Sequence, residues 1–341
     1  MAHKETGVVA AMGAEVLEAG GTIEGLFEAS RAIQRECADY IVRNATLRNV
    51  EMAHPCDLSY RPEGGARRTA PMGAHAFGQL CARIGVPAQY MRKCLQEGEH
   101  SCAVENMNTW LARHKKDLLV RECAGAVRGV LSSRYSPLDA PDVLDAVFDE
   151  GLPFGGFELR GSHVSPERLH FRLTEPRGMF EKDDLFAGIS VDSSDVGRSQ
   201  LLVQFFVFKL VCTNGMTSVA DGGVLYGQRH VGVTKDDFRR GLAAALGRFE
   251  EYRESAIERI ARAKARPVFD EGDSEEGKLR GIGAAANVGE SRARAMLGVM
   301  EARGYGASLW GVANAMTELA QGRSLEGRLE LERDAGLLVA A

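Results

Sequence analysis

Hydrophobic positions recur first at helical spacing: Ile23, Leu26, Phe27, Ala29 and Ile33 mark one face of a helix that runs on toward Tyr40-Ile41-Val42. A short strand is expected at 46–52, and Pro62, Gly64-Gly65 and Arg67-Arg68 make 61–73 an exposed loop. Three further helices are predicted between Ala74 and Trp110, carried by Phe77, Leu80, Cys81 and Ile84, then Tyr90, Met91 and Leu95, then Val104, Met107, Trp110 and Leu111. The pattern then changes. Residues 117–122 and 126–131 flank Ala124-Gly125 as a hairpin, and Asp139 caps a helix through Val143, Leu144, Val147 and Phe148.

Residues 154–233 read as β-rich. Leu169, Phe171 and Leu173 alternate with Arg168, His170 and Arg172, while 201–212 is nearly unbroken apolar sequence, the mark of a central strand buried on both faces. Further strands are expected at 185–191 and 224–233. Beyond them Phe238, Leu242, Ala245, Leu246, Phe249, Tyr252, Ala256 and Ile260 form a stripe on a helix over 236–266, which the body, the next helices or another subunit must cover. Pro267 and the acidic run 270–276 make a linker before helices around 293–300, 309–319 and the tail. The fold class is therefore α+β: a mostly antiparallel twisted sheet covered by helices, followed by an α-helical C-terminal region. Its divisions are an N-terminal helical segment (1–42), an α+β core (43–235) and a helical C-terminal region (236–341).

Charge adds a local feature to an acidic chain whose net charge is −5. Residues 43–134 hold fourteen basic and eight acidic side chains, whereas 1–42 hold three and seven, and 135–150 hold five acids and no base. A basic middle between acidic flanks can form a positive groove, or can be an ordinary solvated surface. The seven cysteines are odd in number and scattered, which suits reduced, buried thiols rather than a disulfide framework. Cys94, His100 and Cys102 lack the spacing of a zinc site. With no apolar run of spanning length and no apolar core at the N-terminus, the expectation is a cytoplasmic protein without a membrane partner.

The segment LLVQFFVFKLVCTNGM at 201–216 resembles the strand and turn of the phage- and plasmid-borne family called domain of unknown function 932, through Lys209, Val211, Cys212, Asn214 and Gly215. VRGVLSSRYSPLDAPDVL, with Gly129, Arg134, Tyr135 and Asp139, and SLWGVANAMTELAQG, with Trp310, Asn314, Ala315 and Thr317, resemble two other segments of that family. The order of helices, hairpin, sheet and helical tail is in turn similar to that of single-strand annealing proteins of the RecT/Redβ/Erf sort, an analogy of fold alone. The resemblance implies single-stranded DNA as partner, ATP-independent annealing in recombination or replication of a mobile element, and a homo-oligomer formed through the C-terminal helices.

A single-strand binder needs cations along a groove and flat groups for stacking. The candidates are Arg67, Arg68, Lys115, Lys116, Arg121, Arg128, Arg134, Tyr135 and Lys209. Arg134 and Tyr135 can equally be structural, with the arginine paired to Asp139 or Asp142. Lys209, a lone cation in an apolar strand, is either paired internally or set at a strand end facing a groove. Asp183, Asp184, Asp192 and Asp195 are the carboxylates a metal-dependent nuclease would use, but no strand lysine follows them closely, and 192–197 reads as a polar turn. No phosphate-binding loop or nucleophile elbow occurs, so neither cofactor nor metal is expected. The alternative to DNA binding is a structural or interaction protein of the mobile element.

Overall fold

The computed structural model describes residues 22–54, 56–149, 156–180, 185–209, 214–216, 224–232 and 234–340. Helix α1 (Ile23–Arg35) starts at Thr22, whose side chain accepts the Gly25 amide, and it ends before the chain turns into strand β1 (Cys37–Val42). Tyr40-Ile41-Val42, read as the end of that helix, is thus a strand. Its aromatic and β-branched side chains suit a pleated surface, and pairing with another strand overrides the local helical spacing.

Two apolar cores result. The first is built on β2 (Val50–His54), β3 (Asp57–Tyr60) and β4 (Arg68–Pro71), a small antiparallel sheet, together with α2 (Ala74–Ile84), α3 (Ala88–Gln96) and α4 (His100–Leu111). These cover a second sheet of order β1-β5-β6, where β5 (Leu118–Cys123) and β6 (Ala126–Ser132) form the expected hairpin. Its turn residues Ala124 and Gly125 have φ of 49° and 78°, the two positive angles a tight hairpin of this twist requires. Strand β4 lies inside the stretch read as a loop. Pairing with β3 orders Arg68–Pro71 although they bury only one apolar residue well, Ala70.

The outer edge of β6 does not meet solvent. Gln79 on α2 accepts the Val130 amide at 2.9 Å, Arg83 donates to the Val130 carbonyl at 2.8 Å, and the Gly73 amide donates to Val127 at 2.9 Å. Side chains of one helix thereby replace a neighbouring strand.

The larger core surrounds a six-stranded antiparallel sheet. Its path is β11 (Asn214–Met216), β10 (Leu201–Lys209), β9 (Leu185–Ser193), β8 (Arg168–Gly178) and β7 (Glu158–Ser165), and β12 (Val224–Gln228) also pairs with β10. Leu169, Phe171, Leu173, Ile189, Val191, Val203 and Phe205 lie buried in that core. Phe171 stacks on Phe148 of α5 (Ala140–Asp149), which in turn meets Phe27 of α1. Phe205 packs on Phe249 and Tyr252 of α7 (Phe249–Ala265). The stripe expected on one helix over 236–266 is divided between α6 (Lys235–Leu246) and α7, but all eight of its apolar residues are buried in this chain. The stripe therefore needs no second subunit to cover it.

The C-terminal region adds α8 (Glu275–Ala286), α9 (Glu290–Arg303), α10 (Leu309–Leu319) and α11 (Leu325–Ala340). Helix α8 was not expected: it begins in the last two residues of the acidic run 270–276 and fills the stretch before the helix expected around 293–300. Its Gly281 approaches the Val268 carbonyl so closely that a Cβ would sit 2.5 Å from that oxygen, so glycines that weaken the helical pattern serve packing. Helix α11 crosses the polar side of β8. Arg172 and Glu332, both almost fully buried, meet there in a two-point ion pair, one contact being Nη1 to Oε1 at 3.1 Å. No helix among the described residues is long and apolar enough to cross a membrane.

Candidate functional site

The two cores meet at the turn between β9 and β10, and the hairpin arginines are there. Arg121 and Arg128 are each only 2% exposed. Arg121 donates from Nε to Asp39 at 2.7 Å, from Nη2 to Asp139 at 2.7 Å, and from Nη1 to the Asp195 carbonyl at 2.6 Å. Arg128 clasps the Asp195 carboxylate at 2.8 and 2.9 Å and also donates to the Pro166 carbonyl. Neither guanidinium faces solvent or leaves a place for a phosphate, so these two residues leave the expected DNA-contacting set and become the ionic seam of the fold. Asp39 stands opposite Arg121 in the β1–β5 register, which fixes that pairing through the backbone. Tyr135 belongs to the seam as well: its hydroxyl donates to the Ser194 carbonyl at 3.0 Å and its ring stacks on His230 at 5.5 Å.

Three carboxylates, Asp39, Asp139 and Asp195, share two guanidiniums, one negative charge in excess. Burial pushes Asp195 up to about 6 against the pull of Arg128 and Arg121, with Asp139 adding to the rise; Arg121 holds Asp139 below the usual range despite its burial. The folded protein therefore binds a proton at Asp195 that the unfolded chain releases near the ordinary value of 3.8, so this group's contribution to stability is present below that value and is lost as pH rises through about 6. His163, His170 and His230, depressed by burial, act oppositely over an overlapping interval. The comparison with Asp195→Asn isolates the carboxylate. The melting temperature of that variant, relative to wild type, is expected to rise between pH 4 and pH 7, and a constant difference would contradict the shared proton.

The other expected cations divide clearly. Arg67 is engaged by Glu51 at 3.0 Å and Ser59 at 3.1 Å. Arg68 binds the buried Glu122 at 2.8 Å and stacks on Tyr40. Lys209 donates to Asn314 of α10 at 3.3 Å and lies 4.7 Å over the Tyr305 ring, so it faces the C-terminal helices rather than a groove. Asp192 is taken by Arg168 at 2.6 Å, and Asp183 and Asp184 lie outside the described residues. Among the described residues no cluster of His, Cys, Asp and Glu could hold a metal.

Lys115, Lys116 and Arg134 are different: all three are exposed and carry no ion pair among the described residues. The pairing of Leu118 with Ser132 brings the lysines just before β5 and Arg134 just after β6 to the same open end of the hairpin. Lys116 lines an open groove of about 480 Å³ with Gln79, Ala82, Arg83 and His114. Among the described residues no carboxylate lines it. Burial lowers the Arg83 guanidinium, and burial together with Arg83 and Lys116 lowers His114. The nearest acid in sequence, Asp117, is held by Arg43 at 2.9 Å and the Asn44 amide at 2.7 Å. Next to His114 in the sequence, Arg113 lies 4.9 Å over the ring of Trp110, which is 41% exposed.

No family model matches this chain, nor does any curated protein or solved structure. The site therefore stands on its own chemistry. Arg83, His114, Arg113 and Trp110 were missing from the expected set. Arg83 and His114 carry no motif, and only the docking of α2 along β6 brings them beside Lys116. The arginine stacked on a tryptophan three residues earlier was readable from helical spacing.

Proposed function

We propose that the protein binds single-stranded DNA at the open end of the β5–β6 hairpin, without reading sequence. The observation that supports this is the set of uncompensated cations: Arg83 and Lys116, with the neutral His114 ring, around a groove that no described carboxylate lines, and Lys115 and Arg134 beside it. Arg83 is partly withdrawn from water and, among the described residues, donates only to a carbonyl oxygen, so an arriving phosphate supplies a counter-charge. The exposed Trp110 offers a base a face for stacking. The likeness to the phage and plasmid family suggests recombination or replication of a mobile element, with ATP-independent strand annealing as the activity. The covering of the apolar stripe over 236–266 within the chain weakens the structural reading and the homo-oligomer expected through the C-terminal helices alike.

The test is a gel shift with single- and double-stranded oligonucleotides at low and moderate salt. Wild-type protein is expected to retard the single strand more strongly. The Lys115→Ala/Lys116→Ala/Arg134→Ala variant should bind roughly tenfold to a hundredfold more weakly, because each lost phosphate contact removes a released counterion. Trp110→Ala should weaken binding by about tenfold without changing the response to salt. Equal retardation by wild type and the triple variant, with the variant folded, would remove the proposed interface.

A further inference from the structure

Strands β1 and β5 place two cysteines opposite each other. Cys37 and Cys123 are partners in the antiparallel register, and their sulfurs lie 2.8 Å apart, with Cys37 donating to Cys123. Directly opposed residues in such a ladder have Cα atoms about 4.5 or 5.5 Å apart, and both separations fall inside the range of about 4.4–6.8 Å that a disulfide spans. The pair needs only side-chain adjustment to close.

We propose that Cys37 and Cys123 form a reversible cross-strand disulfide when the protein meets a peroxide, making the ionic seam a redox-modified site. Cys37 is partly exposed and lines the small cavity at the seam together with Arg128, Asp139, Arg168 and Asp195, which gives a small oxidant a route to the pair. One sulfur attacks peroxide, forming an S–O bond as the O–O bond breaks and hydroxide leaves. The second sulfur displaces hydroxide from the sulfenic sulfur, and the two thiol protons convert both hydroxides to water. Two thiols are oxidised by two electrons and one peroxide is reduced. The bond from Cys37 to Cys123, helped by the Arg128 guanidinium, lowers Cys123 and places thiolate character there, while that same bond and burial raise Cys37.

The consequence is local. Both thiols point at the Ile33 carbonyl, Cys37 at 3.1 Å and Cys123 at 3.7 Å, and a disulfide has no S–H to donate. Oxidation thus ties β1 to β5 across a separation of 86 residues while removing two weak contacts from the last turn of α1.

The experiment treats reduced full-length protein with hydrogen peroxide, blocks remaining thiols by alkylation and maps the cysteines by mass spectrometry. The expected result is a peptide linking Cys37 to Cys123 that dithiothreitol separates, with a melting temperature several degrees above that of the reduced protein. In Cys37→Ser, Cys123, the sulfur that carries the thiolate, should instead accumulate as sulfenic acid, trapped by dimedone. If Cys37 and Cys123 both stay alkylatable while the exposed Cys56 and Cys102 are oxidised, or if Cys123 of the wild type advances to sulfinic acid without linkage, the proposal is overturned.

Discussion

Replacing Asp195 with alanine is expected to destabilise the protein by about 3–5 kcal/mol, because it leaves a buried guanidinium without its counter-ion. Among the described residues Asp195 is the only carboxylate that Arg128 reaches, and its backbone carbonyl also accepts from Arg121. The alanine variant keeps the carbonyl but strands Arg128. Asparagine should cost far less. Its amide oxygen still accepts from Arg128, and removing one negative charge leaves Asp39 and Asp139 balanced against the two arginines. Urea denaturation of the two variants measures the difference. Equal losses would mean that packing, not charge, holds the seam.

The second large effect belongs to the ion pair between the sheet and the last helix. Glu332 is 1% exposed and accepts from both Arg172 and Arg328, the latter at 3.0 Å. Burial opposes its charge, but the two guanidiniums hold its carboxyl below the usual range. Glu332→Ala is expected to cost about 3–5 kcal/mol and to loosen α11 from the polar face of β8. Arg172→Leu/Glu332→Leu should recover much of that loss, because two apolar side chains incur no desolvation of charge. Hydrogen exchange across 325–340 reads the first effect directly. A double variant no more stable than the single would contradict this account.

These two ionic contacts mark where the sequence stopped being legible. The alternation of Leu169, Phe171 and Leu173 identified the apolar face of β8, and the stripe from Phe238 to Ile260 identified the buried side of α6 and α7. Both patterns are local, and local patterns survive translation into structure. The alternation does not say what meets the other, polar face of β8, where His170 and Arg172 are buried and α11, some 160 residues later, reaches Arg172. The hairpin arginines were misread for the same reason. Arg121 and Arg128 lie within the hairpin strands and Lys115 and Lys116 just before them, but nothing local to either pair announces Asp195, whose arrival from another sheet seals the arginines. Strand β1 was missed where a helical spacing and a β-branched run overlapped, and α8 where glycines needed for close packing diluted the helical signal.

The most direct test of DNA binding at the hairpin's open end is the salt dependence of single-strand affinity, measured by fluorescence anisotropy from low to moderate sodium chloride. A plot of log affinity against log salt should be steep for wild type and shallower by about 2 for the Lys115→Ala/Lys116→Ala/Arg134→Ala variant, given roughly 0.7 counterions released per phosphate neutralised. Arg67→Ala, whose guanidinium is already held by Glu51 and Ser59, should leave the slope unchanged. Parallel lines for wild type and the triple variant, or a slope that falls with Arg67→Ala instead, would contradict the assignment.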